Sequence, residues 1–85
     1  MTEITAARSD LESRVFRIVG EVFGLPIEQV TMQTNHDTVK TWDSLNLINL
    51  LMAIEVEFGV SIDPEEATEL LSVELIIEVL REKKI

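Results

Sequence analysis

Cysteine and tyrosine are absent from the sequence, and histidine and tryptophan occur once each, as His36 and Trp42. Without cysteine there is no disulfide framework, no thiolate metal site and no cysteine nucleophile. With one histidine, any catalytic constellation has at most one imidazole to use. An aromatic content of 5% leaves little with which to line a cofactor pocket, so the core has to come from Leu, Ile and Val, with Met as filler. No apolar run approaches the roughly 20 residues that a membrane span needs. The opening MTEITAARSD has neither the basic start nor the apolar stretch of a secretory signal. A cytoplasmic protein is the expectation.

Positive charge is missing from half of the chain. Between Thr41 and Leu80 there is no Lys or Arg, against Asp43, Glu55, Glu57, Asp63, Glu65, Glu66, Glu69, Glu74 and Glu78, and the formal net charge of the whole is −9. Such a field repels nucleic acid and anionic membranes and attracts basic protein surfaces; the plainer reading is a solvated acidic face. At 85 residues the expected organisation is a single domain over 1–85 with a flexible tail at 1–8. A chain of this size hides only about two-thirds of its unfolded surface.

What is present reads as four helical segments. Ser9 and Glu12 form a capping-box pattern ahead of Leu11, Val15, Ile18 and Val22, and Gly24 followed by Pro26 is a stop, so the first helix is expected from Asp10 to Phe23. A long connection follows, in which PIEQV looks like one helical turn and Leu25, Ile27 and Val30 are expected to tack the loop to the core. Asp43 is a natural N-cap with Ser44 at the first helical position and Gly59 past the end. On this second helix Leu45, Ile48, Leu51, Met52 and Phe58 are expected to face inward. Leu47, Leu50, Ala53, Ile54 and Val56 cover much of the rest, which predicts a central, enclosed helix with some surface left for partners. Asp63, Pro64 and Glu66 open a short third helix, expected from Pro64 to Leu70. Ser72 caps the last, with Val73, Ile76, Ile77 and Leu80 inward and Arg81, Lys83 and Lys84 at its negative end. The fold class is all-α: a small four-helix bundle with three longer helices and one short one.

Catalytic chemistry finds little support. A Ser44–His36 hydrolase would lack an orienting carboxylate, Glu55 and Glu57 fall on different sides of a helix, and DPEE has neither the spaced oxygens nor the glycine of a calcium loop. The chain is expected not to be an enzyme and to hold no metal. Asp-Ser-Leu taken alone is ordinary helix-start chemistry.

Set in its surroundings, the tripeptide says more. DSLNLINLLMAIEVEFGVSIDPEEA resembles the signature run of the acyl carrier proteins, and VFRIVGEVFGLPIEQVT is similar to that family's first helix and its exit, so that the likeness spans roughly Ser9 to Leu80. The resemblance implies that Ser44 carries 4′-phosphopantetheine, transferred from coenzyme A by a magnesium-dependent phosphopantetheinyl transferase, and that the arm holds acyl groups as thioesters. It implies that Asp43 caps the helix and aids transferase recognition. Partner recognition would fall to Leu45, Asn46, Leu47, Asn49, Leu50, Val56 and Glu57, facing acyl-loading and acyl-processing enzymes with basic docking patches, with the carrier a monomer; Trp42 is expected to pack over the loop as a lid on the core, the alternative being a further partner contact. Four positions depart from the family pattern: Thr41 stands where glycine is usual, Trp42 directly precedes the Asp, and Asn46 and Asn49 replace acidic residues. A specialised carrier of fatty acid, polyketide or related biosynthesis fits these departures. The alternative is an acidic helical interaction module of the same fold that is never modified.

Overall fold

The computed structural model describes residues 10–83, and within them the helices are α1 (Asp10–Phe23), α2 (Ser44–Phe58), α3 (Pro64–Ala67) and α4 (Val73–Glu82), with a 3-10 turn at Ile27–Gln29. The Ser9 cap, the 1–8 tail and Lys84 lie outside the described residues. The helix boundaries follow local chemistry. The Asp43 carboxylate accepts the N–H of Asn46 at 2.9 Å, and the Ser72 hydroxyl accepts that of Leu75 at 3.1 Å. Gly24 at φ 72° and Gly59 at φ 65° take the left-handed step that ends α1 and α2. After Gly24, the N–H of Leu25 returns to the Gly20 carbonyl at 2.9 Å, and that close approach leaves no room for a side chain at Gly20.

The central element is α1 rather than α2. It packs against both α2 and α4, and buries Val15, Phe16, Ile18, Val19, Gly20 and Phe23. Over its fifteen residues α2 buries only Leu50 and Ile54, with Leu47, Leu51, Ala53 and Phe58 half-buried against the core. The expected inward face of α2 is therefore corrected: Leu45, Ile48 and Met52 are 70%, 54% and 60% exposed. An apolar sequence all round a helix offers two stripes at helical spacing, and the position of α1 selects the Leu47–Leu50–Ile54 side. On α4 the expected face holds, since Val73, Ile76, Ile77 and Leu80 are all buried.

Two smaller expectations also change. Helix α3 stops at Ala67 instead of reaching Leu70, because Glu69, Leu70 and Leu71 donate to Glu66, Ala67 and Glu69 in tighter turns that swing Leu70 into the core. In the connection after α1, Val30 is buried and Leu25 packs against the core, but Ile27 is half exposed. The second half of that connection is stapled to the α3–α4 junction: His36 N–H donates to the Leu71 carbonyl at 3.0 Å and Val73 N–H to that of Thr34 at 2.9 Å.

Candidate functional site

The start of α2 brings together the residues singled out around Ser44. Asp43 is extended and exposed, its side chain caps the helix, and Ser44 is the first helical residue. The Ser44 side chain is exposed, and its hydroxyl makes no hydrogen bond to another described residue. The first turn also has open donors. Asn46 N–H is taken by Asp43 and Leu47 N–H returns to the Asp43 carbonyl at 2.8 Å, whereas the N–H groups of Ser44 and Leu45 meet no acceptor among the described residues. A free hydroxyl, two free N–H groups and the positive end of a 15-residue helix thus share one small region. A helix start of this kind has the chemistry to stabilise an anion placed on it.

The approach to this turn is fixed from two sides. The Trp42 ring stacks on Phe23 with centroids 4.4 Å apart and planes 15° apart, and its indole N–H donates to the Leu70 carbonyl at 3.2 Å. The Thr41 hydroxyl donates to the Phe23 carbonyl at 2.9 Å. Trp42 is buried, so it anchors the site from below and is not a contact for partners.

Other expected partner residues are distributed differently. Leu50 is fully buried and Leu47 half-buried, so neither forms a free docking face. Glu57 is engaged by α1: Arg14 Nε lies 2.8 Å and Arg17 3.2 Å from its carboxylate, Arg14 also bonds the Glu57 carbonyl, and its guanidinium lies over the Phe58 ring. The hydrogen bond from Arg14, helped by Arg17, holds the Glu57 carboxyl below the usual range. Asn49 and Val56 are exposed, and the outward stripe also includes Ile48 and Met52, which the apolar pattern assigns to the inward face. The spacing of Leu45, Ile48, Met52 and Val56 was the available signal, and it is shared with the buried stripe.

His36 belongs to another part of the molecule's chemistry. Its ring is partly exposed with Nδ1 3.6 Å from Asp37, and no hydrogen bond joins it to Ser44. Among the described residues no cluster of three His, Cys, Asp or Glu side chains could hold a metal ion, and no helix is long and apolar enough to cross a membrane. An open groove of about 240 Å³ lies along Arg17, Gly20, Glu21, Leu25 and Ile27 and includes none of the residues at the start of α2.

Comparison with known proteins agrees with this geometry. The model of the phosphopantetheine attachment site family matches residues 13–80. The acyl carrier protein of Rickettsia bellii (strain RML369-C) is 28% identical over 82 residues, covering 96% of this chain and 95% of that protein. With four helices among the described residues, three long and one short, the chain belongs to the phosphopantetheine attachment site family, whose members carry the prosthetic arm and are not themselves catalysts.

Proposed function

We propose that Ser44 is the attachment residue and that the protein carries acyl groups as thioesters in fatty acid, polyketide or related specialised biosynthesis. The observation that carries this reading is the exposed Ser44 hydroxyl on the first turn of α2, without a partner among the described residues and beside two N–H groups equally open among them. These groups fit a phosphodiester: the oxygen is accessible for bond formation, and the helix start offsets the added negative charge by ~0.3–1 kcal/mol. Attachment forms the Ser44 Oγ–phosphorus bond and breaks the pyrophosphate link of coenzyme A. Adenosine 3′,5′-bisphosphate leaves, and the hydroxyl proton passes to a base of the transferase. The arm supplies the thiol that forms the thioester.

Within this scheme Asp43 keeps the first turn formed through its cap and offers a carboxylate to the transferase's metal and basic residues. The exposed Leu45, Ile48, Asn49, Met52 and Val56 form the face that begins beside Ser44, and partner enzymes dock there, guided by the net charge of −9 toward basic surfaces. The protein works as a monomer in the cytoplasm in this reading.

The test is intact-protein mass spectrometry after incubation with coenzyme A, magnesium and a broad-specificity transferase, followed by acyl loading. The native chain gains the mass of phosphopantetheine and then of the acyl group, while Ser44→Ala gains neither. Absence of any gain across several transferases would favour an unmodified interaction module instead.

A further inference from the structure

The four residues at which the chain departs from the acyl carrier pattern are connected to one another. Thr41 Oγ1 donates to the Phe23 carbonyl at the end of α1, and the Thr41 carbonyl in turn accepts the Asn46 side-chain amide at 2.8 Å. The Asn46 side-chain oxygen accepts the Asn49 amide at 3.1 Å, one turn further along α2. Between Thr41 and Ser44 stands Trp42, stacked on the same Phe23 and bonded to Leu70. We propose that Thr41, Trp42, Asn46 and Asn49 form a neutral brace that ties the Ser44 turn to the end of α1 and to the α3–α4 junction, making them positioning residues for modification at Ser44.

The chemistry of the first turn explains why an amide is needed at Asn46. In an ordinary capping box the third helical residue is Glu or Gln, and its side chain accepts the N–H of the cap residue. Here the N–H of Asp43 is already bonded to the Thr41 carbonyl at 2.9 Å, so the residue at that position meets a carbonyl oxygen and has to donate. Asn46 does so, filling the second acceptor position of Thr41. A carboxylate there would have no proton to give, and would face both the Thr41 carbonyl and the Asp43 carboxylate. Asn49 then holds the Asn46 amide in the donating orientation by binding its oxygen. The neutral residues are thus needed by the turn itself, beyond any effect on surface charge.

This inference rests on Ser44 as the attachment residue, and one variant separates it from a role in surface charge alone. Asn46→Asp adds a negative charge near the helix start and beside the face proposed for basic partners, so a purely electrostatic role would speed modification. The brace predicts the opposite sign: kcat for transfer from coenzyme A falls about two- to tenfold, the range expected for losing one hydrogen bond, with KM unchanged or lower. Thr41→Val, which removes the hydroxyl at nearly constant shape, slows transfer comparably, and Thr41→Ser restores the native rate. Combining Asn46→Asp with Thr41→Val costs less than the product of the two, because both break one connected unit. Amide exchange in the unmodified proteins is the second readout. Asn46→Asp speeds exchange at Asn46 and Leu47 while leaving the amides of α4 unchanged. An Asn46→Asp protein modified as fast as the native one or faster overturns the brace, as do equal rates for Thr41→Val and Thr41→Ser. Failure of the native chain to be modified would count against Ser44, and the exchange pattern would still decide the brace.

Discussion

The two ends of α2 are held to the rest of the molecule by different forces. At the Ser44 end the contacts are neutral or involve a single cap: Asp43 on the Asn46 N–H, Asn46 on the Thr41 carbonyl, Thr41 on Phe23, and Trp42 stacked and bonded beneath. At the Phe58 end they are ionic, with Arg14 and Arg17 on Glu57 and the Arg14 guanidinium over Phe58. Hydrogen bonds between neutral groups and ring stacking fix a turn in position and depend little on salt or pH, and the Asp43 cap is the one charged contact named at this end. Exposed and half-exposed ion pairs are screened and lost on protonation. The end that presents the candidate hydroxyl is held mainly by neutral contacts, and the other end by charged contacts that salt and pH tune.

The comparison is broken most completely by Ser44→Ala. It removes the reacting oxygen, so modification falls to zero, while the loss of a first-turn hydroxyl outside the cap costs at most about 1 kcal/mol. Thermal melting followed by circular dichroism should show a shift of only a few degrees. The largest effect on stability is expected from Trp42→Ala, which empties the space against Phe23 and leaves the Leu70 carbonyl without its donor: about 3–5 kcal/mol by denaturant titration. Asp43→Ala comes next, at about 1 kcal/mol for the lost cap, together with slower modification. Rapid modification of a folded Asp43→Ala protein would remove its recognition role.

The smallest effect sharpens the contrast in pH. Glu57, bonded by Arg14, and Glu66, bonded by Lys83 at 2.9 Å and by the Asp63 N–H, both have carboxyl pKa values lowered in the folded state. A carboxyl lowered on folding contributes stability that is fully present above its unfolded value of about 4.3 and is lost as pH falls through the lower folded value. Melting temperature should therefore decline more steeply below that range in the native protein than in Glu57→Gln. The brace of Thr41, Trp42, Asn46 and Asn49 carries no carboxylate, so the amides of Trp42 and Leu47, which are bonded to backbone carbonyls, should lose less protection over the same interval than those of the Phe58 end. Equal loss at both ends would erase the distinction.

The helix limits were legible because caps and stops are local: Asp43, Ser72, Gly24 and Gly59 act within a turn of their own positions. The position of Ser44 at the first helical residue was legible for the same reason, whereas its reading as the attachment residue comes from the resemblance of the whole run and not from the tripeptide. The orientation of α2 was not. Leu45, Ile48, Met52 and Val56 form one stripe and Leu47, Leu50 and Ile54 another, and only the placement of α1 decides which is buried. Helix α3 was read too long because its tail tightens to bury Leu70, a demand made by the core and by the Trp42 indole rather than by the segment itself. In the sequence Asn46 and Asn49 stand out only as charges missing from a docking face. The use of Asn46 as a donor depends on the Thr41 carbonyl, whose lone pairs are assigned only once the turn is folded, and Asn49 donates in turn to the Asn46 side-chain oxygen.

The most direct test of the central claim is to locate the arm. The native protein, modified with coenzyme A and a transferase, is digested and its peptides are fragmented by tandem mass spectrometry. The account predicts the phosphopantetheine mass on Ser44 alone, in the peptide that contains Trp42 and Asp43. The same mass on any other serine or threonine, with Ser44 unmodified, would contradict it.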